Sequence, residues 1–534
     1  MHNPAQPPLT LPRRRTLLQW LASGAAAASW PQRAWSQPRF DSNPFALGLA
    51  SGSPTHQGVV LWTRLVQTGL FGRNTLPPEP IAVHWEVAHD EALTRTVAQG
   101  ETRALPELAH SVHVEVDGLQ ADRWYYYRFR AGDAHSPVGR TRTLPAPDAA
   151  VARLRLAYAS CQRWEHGHYG AYRHMQNEAL DLVLFLGDYI YEYAGAANAV
   201  RNTGTWATTL DTYRDRYALH KSDPALQAMH AHCPWLVTWD DHEVQNDYAG
   251  LHPGDNGPPV ADFAARRAAA YQAYYEHMPL RASVLTQGLD GMARGAEMRI
   301  YGQHDFGRLA RIVLLDDRQY RHRQACTVDD RAGSSRIDPD QCASLTLPER
   351  QMLGAAQEQW LQDALTRSPA SWNLIGQQTL FGSRSAGKPR LTTVWNDGWD
   401  GYPAARTRLT RALEGLPTRN NVVLGGDVHE NWVGHVKADY AQPDSATVGV
   451  EFCGTSISSR SGGNAARAAE LLADNPHFVF ADAQRKGYGV LDITPQRLTA
   501  TLRVVDDVTR ADTGIQTLAR FEVESGKPAL QRTL

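Results

Sequence analysis

The stretch Val183-Leu184-Phe185-Leu186-Gly187-Asp188-Tyr189-Ile190-Tyr191 constrains the fold most, because an apolar run stops there at a glycine, a carboxylate and a phenol. Four apolar residues in a row fit a strand buried on both faces, as in parallel sheets covered by helices. Open α/β sheets bind ligands beyond the carboxyl ends of such strands, which places Asp188 and Tyr191 in a crevice. Three further runs end alike. Leu154 to Ala159 enters Ser160-Cys161-Gln162, Trp235 to Trp239 enters Asp240-Asp241-His242-Glu243, and Asn421 to Leu424 enters Gly425-Gly426-Asp427-Val428-His429. Four strand ends offering Cys, Asp, Tyr, His and Glu are hard to explain as ordinary core.

Carboxylates, a phenolate and a thiolate gathered in one place repel one another unless polyvalent cations hold them together. Asp188 could bridge two such ions. Tyr191 is the informative donor, since a phenol titrates near pH 10 unaided and would be a phenolate only beside a strongly acidic ion such as ferric iron. Cys161 as a thiolate would join that sphere, Asp241 and Asp427 suit hard ions such as calcium or magnesium, and His429 suits either. Each residue also has a plain reading. Tyr191 stands in an aromatic run, Cys161 could fill core, and Arg318 could pair with Asp316 or Asp317.

A chain of 534 residues is long enough for two domains. Residues 43–145 carry short alternating segments, among them Gly58 to Arg64, Ile81 to Val87, His110 to Val116 and Trp124 to Arg130. Their density predicts an all-β, immunoglobulin- or fibronectin-like sandwich, closed by a Pro145-Ala146-Pro147-Asp148 linker. Over 151–520 strands alternate with helical stretches, an α/β pattern, with helices expected at Tyr169 to Leu180, Phe263 to His277 and Pro348 to Leu365. Arg311 to Leu315 and Trp372 to Gln377 read as further strands. Ala194 to Thr209 and Gly250 to Val260, small and polar, are candidate loops over the site.

Residues 1–36 read as an address. Arg13-Arg14-Arg15, a short apolar run through Ala28, and Ala34-Trp35-Ser36 form a secretory signal of twin-arginine type, so the mature protein is expected to be periplasmic or secreted. No later stretch is long enough to span a membrane. Cys326 and Cys342 flank a polar insert and could form a disulfide in such a compartment. Lys+Arg 54 against Asp+Glu 56 gives no reason to expect a nucleic-acid or anionic-membrane partner.

Taken together, Gly187-Asp188-x-x-Tyr191, Trp239-Asp240-Asp241-His242-Glu243 and Gly425-Gly426-Asp427-Val428-His429-Glu430-Asn431-Trp432 resemble the PhoD-type alkaline phosphatases, a branch of the calcineurin-like metallophosphoesterases. Leu315 to Arg321, Glu451 to Ser458, Ser51-Gly52-Ser53-Pro54 and Trp62-Thr63-Arg64 are similar to further stretches of that family. The resemblance implies an α-β-β-α metallophosphoesterase domain after the sandwich, with one ferric ion and calcium ions. It implies hydrolysis of phosphate esters at alkaline pH. Cys161, Asp188, Tyr191 and Asp427 would hold iron; Asp188, Asp241 and, as a further candidate, His429 would hold the neighbouring ion. Cys161 stands where the wider superfamily has Asp-x-His, and Asp241 and Asp427 replace an Asn and a His, which favours iron with hard cations over two zincs.

The expected mechanism is direct displacement by a metal-bound hydroxide, with His242 near the leaving oxygen as general acid or charge stabiliser and Arg318 clamping phosphate oxygens. Rival readings are a phosphodiesterase or phospholipase D-like enzyme with the same metals, an exported non-catalytic metal-binding or adhesion protein, and a serine-nucleophile phosphatase using Ser160. The expected partners are small or polymeric phosphate esters and the twin-arginine export machinery.

Overall fold

The computed structural model describes residues 39–67, 76–201, 204–255, 257–258, 260–327, 333–385, 393–418, 420–442 and 444–534; the signal-like segment 1–36 lies outside the described residues. The apolar runs do form buried strands. Leu154–Ala159, Leu182–Leu186 and Trp235–Thr238 pair in parallel at the middle of a ten-stranded sheet. A second, seven-stranded sheet has Ala310–Leu314, Trp372–Gly376, Asn421–Gly425 and Thr447–Cys453 in parallel register.

The sheets pack face to face. Leu156, Tyr158, Leu184 and Leu186 of the first meet Ile312, Leu374, Leu424 and Phe452 of the second in one core. The outer face of the first sheet is covered by Leu210–Lys221, Pro224–His232 and Phe263–His277. That of the second is covered by Ala355–Thr366 and Pro403–Glu414. Buried on both faces, the strands can be apolar throughout, which is why they read as continuous runs. The polar loops at their carboxyl ends meet along one edge of this two-sheet body.

The N-terminal β region is not closed on itself. Ile81–Ala88, Thr96–Ala104, Trp124–Ala131, Ala134–His135 and Gly139–Arg142 form an antiparallel sheet over a core that includes Val83, Tyr127 and Phe129. Its opposing layer, Leu49–Gly52, Val59–Arg64 and Ser111–Val116, is continuous with the ten-stranded sheet, because Gly52 pairs in parallel with Trp235. A Cβ on Gly52 would lie 2.6 Å from Pro279 and 2.7 Å from the Trp235 carbonyl, so only glycine allows this junction.

Local differences from the sequence reading have local causes. The Pro348 helix begins only at Ala355, because Gly354 takes φ 72° and breaks the turn before it. The expected Tyr169 to Leu180 helix is α-helical over Gly170–Met175 and ends in a 3-10 turn before left-handed Ala179. Thr96–Ala104 was not expected as a strand; its largely exposed, polar sequence hides the period-2 signal. Cys326 and Cys342 form the disulfide.

Lys221 lies at the seam, its ammonium 4.1 Å from the Trp62 ring centroid and 5.1 Å from that of Tyr189. Burial lowers its pKa to about 7. A depressed folded-state pKa withholds stability at low pH, so the Lys221 contribution is full above its unfolded value and is lost as pH falls toward 7. Lys221→Met should flatten the rise in stability between pH 7 and 10, a slope of up to roughly 1.4 kcal/mol per pH unit for one group. Denaturant melts at four pH values check this; unchanged slopes would mean the ammonium is solvated.

Candidate metal centre

All four expected strand ends converge. Cys161, Asp188, Asp427 and His429 take left-handed backbone conformations, with φ of 60°, 58°, 64° and 57°. For residues other than glycine this costs roughly 1–2 kcal/mol each, a strain found mainly where side chains are aimed for function. The reversal turns each side chain off its strand axis into the shared crevice. Gly187 permits this, having φ 107° and leaving only 2.5 Å between a notional Cβ and the Asp240 Cβ.

Asp188 is central. Cys161, Asp188 and His429 bring ligand atoms within 4.8 Å of one another, and so do Asp188, Asp241 and His242. Tyr191 donates its hydroxyl to Asp188 Oδ2 at 2.8 Å, and lies 2.9 Å from His429 Nε2 and 2.8 Å from Ser459 Oγ. Asp427 stands beside this group with its Oδ2 held by Thr379 at 2.5 Å. His242 packs against Tyr191 with ring centroids 4.1 Å apart and planes inclined by 33°, and its Nδ1 lies 2.8 Å from Glu192 Oε2.

Polyvalent cations fit these residues. Asp188 Oδ1, Asp240 Oδ2 and Asp241 Oδ1 are buried without a hydrogen-bond donor. Such atoms cost about 1–3 kcal/mol each when left so. Burial, then Asp188, pushes both the Cys161 thiol and the Tyr191 phenol well above their ordinary values. Burial likewise lifts Asp427 to about 7 and Glu243 to about 8, with Asp188 adding to the latter. Four groups resisting ionisation side by side are what positive charge would relieve.

Arg318 is fully buried, with Nε on Asp240 and Nη1 on Asp397 at 2.7 Å, and Nη2 3.7 Å from Asp241. It does not form the plain pair with Asp316 or Asp317 through its guanidinium. Its guanidinium bridges Asp240 and Asp397, and its Nη2 keeps no hydrogen-bond partner.

Several contributors were not singled out in the sequence. Glu192 orients His242 and was hidden inside the same loop as Tyr191. Ser459 Oγ lies 2.8 Å from both the Tyr191 hydroxyl and the Cys161 carbonyl, within reach to donate its one proton to either, from the loop after Thr447–Cys453, and only the fold brings it there. By contrast Glu243, part of the Asp240-Asp241-His242-Glu243 strand end that the sequence already marks, accepts the amides of Asp188, Tyr189 and Asp240, tying two strand ends together.

Fold and site together define an α/β protein with a metal-type donor cluster at the edge of its sheets. Family models for the PhoD-like phosphatase match residues 156–502 and for its N-terminal domain residues 29–145, so the chain belongs to the PhoD-like phosphatase family. It is 45% identical to alkaline phosphatase D of Bacillus subtilis (strain 168) over 504 residues, 93% of this chain and 83% of that protein. The solved structure of PhoD superposes with a TM-score of 0.86 at 44% identity, covering 93% of each chain.

Gly187→Ala should destabilise the protein by more than about 1 kcal/mol, since both space and φ forbid a side chain. Displacing Asp188 or Asp240 by an ångström should lower phosphate-ester hydrolysis about 100-fold. Thermal melts and turnover of the variant test this, and full activity would show that the approach of the two strand ends is not needed.

Proposed function

We propose that the chain is an exported, metal-dependent alkaline phosphatase in which water attacks phosphate esters directly, without a covalent enzyme intermediate. The observation that carries this is Asp188, which sits in both donor groups and keeps one buried oxygen unpartnered. The name of the Bacillus relative supports the activity. Iron would be held by Cys161, Tyr191, Asp188 and Asp427, and calcium by Asp188 and Asp241, with His429 within reach of either. Cations bound there supply charge neutralisation on the phosphoryl group and acidify the attacking water.

The chain's own residues do the rest. Glu192 fixes the His242 ring through Nδ1, leaving Nε2 turned toward Tyr193 at 3.4 Å and available to hand a proton to the leaving oxygen. Ser459 and Asp188 orient the Tyr191 hydroxyl. Arg318 keeps Asp240 and Asp241 from separating under their mutual repulsion. Ser160 is a poor nucleophile candidate, being buried with the Cys161 thiol 3.2 Å away and Gly426 packed against it.

The finer architecture goes with this reading: an immunoglobulin-like sandwich over 43–145 and an α-β-β-α metallophosphoesterase domain over 151–520. Residues 1–36 support twin-arginine export to the periplasm or beyond. Among the described residues no helix is long and apolar enough to cross a membrane.

Purified mature protein should hydrolyse a generic phosphomonoester at alkaline pH, lose activity on prolonged chelation, and regain it with calcium; activity indifferent to metal removal would sink the assignment. A diester assayed alongside separates phosphatase from diesterase. If Tyr191 binds ferric iron as a phenolate, the protein should show a visible charge-transfer band that Tyr191→Phe removes, along with most of its iron. His242→Ala should slow esters with poor leaving groups more than those with good ones, and equal slowing would exclude the acid role.

A further inference from the structure

A shallow, solvent-open cleft adjoins the donor cluster on the Asp427 side. Thr379 belongs to both, lining the cleft while its hydroxyl holds Asp427. Val428, next in the chain after Asp427, lines it too. The mouth is built by a two-stranded ribbon apart from the main sheets, in which Arg336 pairs directly across from Trp395. Directly opposed residues on such a ribbon present neighbouring side chains. Trp395 keeps 37% of its surface exposed, unusual for a large apolar ring.

The charges around the cleft do not cancel. Arg384 pairs with Glu430 at 3.3 Å, Arg406 with Asp400 at 2.6 Å, and Arg467 with Glu470 at 3.0 Å. Arg336 has no ion pair among the described residues. Arg336 stays exposed; partial desolvation, then the repulsion of Arg384 and Arg467, lowers its pKa, while Glu430 opposes them. A guanidinium left over beside other guanidinia, next to an exposed indole, is a place where an anion would be bound rather than tolerated.

Building on the phosphatase reading, we propose that this cleft is a subsite for a second phosphoryl group on the same substrate molecule, bound by Arg336 with support from Arg384, while Trp395 packs against the part linking the two phosphates. The preferred substrates are then esters carrying two phosphates, one at the donor cluster and one in the cleft. Simple monoesters use the centre without the cleft.

The test compares p-nitrophenyl phosphate, a nucleoside 5′-monophosphate and a nucleoside 3′,5′-bisphosphate in the wild type, Arg336→Glu and Trp395→Ala. The wild type should favour the bisphosphate in kcat/KM. Losing one charge-assisted contact should cut kcat/KM for the bisphosphate about tenfold in Arg336→Glu, with little change for p-nitrophenyl phosphate. Equal losses on all three esters, or none on the bisphosphate, would overturn the subsite. Inorganic tripolyphosphate binding, followed by calorimetry, is read separately: weakening in Arg336→Glu supports the subsite and unchanged binding overturns it. If the wild type hydrolyses no ester at all, the phosphatase reading fails, and the tripolyphosphate result still decides the cleft.

Discussion

The centre of this protein depends on buried negative charge held at close quarters. Asp188, Asp240, Asp241 and Asp397 are all at most 3% exposed, with Asp427 partly buried beside them, and carboxylates so placed repel one another strongly in a low dielectric. Arg318 answers part of that charge through Asp240 and Asp397. A buried ion network of this kind is weak evidence of added stability, because desolvation cancels much of the attraction. Its consequence is positional: it keeps carboxylates apart by set distances, and what it leaves unanswered is the charge that cations would meet.

The fold supplies the rigidity such an arrangement needs. Two sheets packed on one apolar core fix the directions of their strands, so loops leaving the carboxyl ends start from defined places. Left-handed turns at Cys161, Asp188, Asp427 and His429 then bend each loop at once toward the crevice. Backbone strain at these positions is sustained by bonds such as those of Glu243 to three amides, which hold the loops against relaxation. The N-terminal strands extend the same sheet through Gly52 and Trp235, so they brace the framework as well as forming their own layer.

A second level of organisation surrounds the ligand-type residues. Glu192 sets the His242 ring, Ser459 sets the Tyr191 hydroxyl, and Thr379 sets Asp427. Groups that orient donors tune both their direction and their basicity. Thr379 also forms the wall shared with the arginine-lined cleft, so with Val428 it joins the cleft to the centre.

How much of this was legible in the sequence follows from range. Val183 to Leu186 and Val422 to Leu424 read as doubly buried strands because their side chains are all apolar, and Gly187-Asp188 and Gly426-Asp427 read as turns at their ends. Residue chemistry within each of four loops likewise marked Cys161, Asp188, Tyr191, Asp241, Asp427 and His429 as metal-type donors. The partners of those donors were not legible. Ser459 reaches Tyr191 across 268 residues, and Arg318 reaches Asp240 across 78 and Asp397 across 79. Arg318 illustrates the limit best: its neighbours in sequence suggested a pair with Asp316 or Asp317, yet its Nε and Nη1 bond carboxylates from two other loops. Local patterning determined the strands, the turns and the donor types, because these depend on each residue and its near neighbours; only the packing of two sheets decided which donors meet and which cation lies beneath them, because that depends on contacts between distant segments.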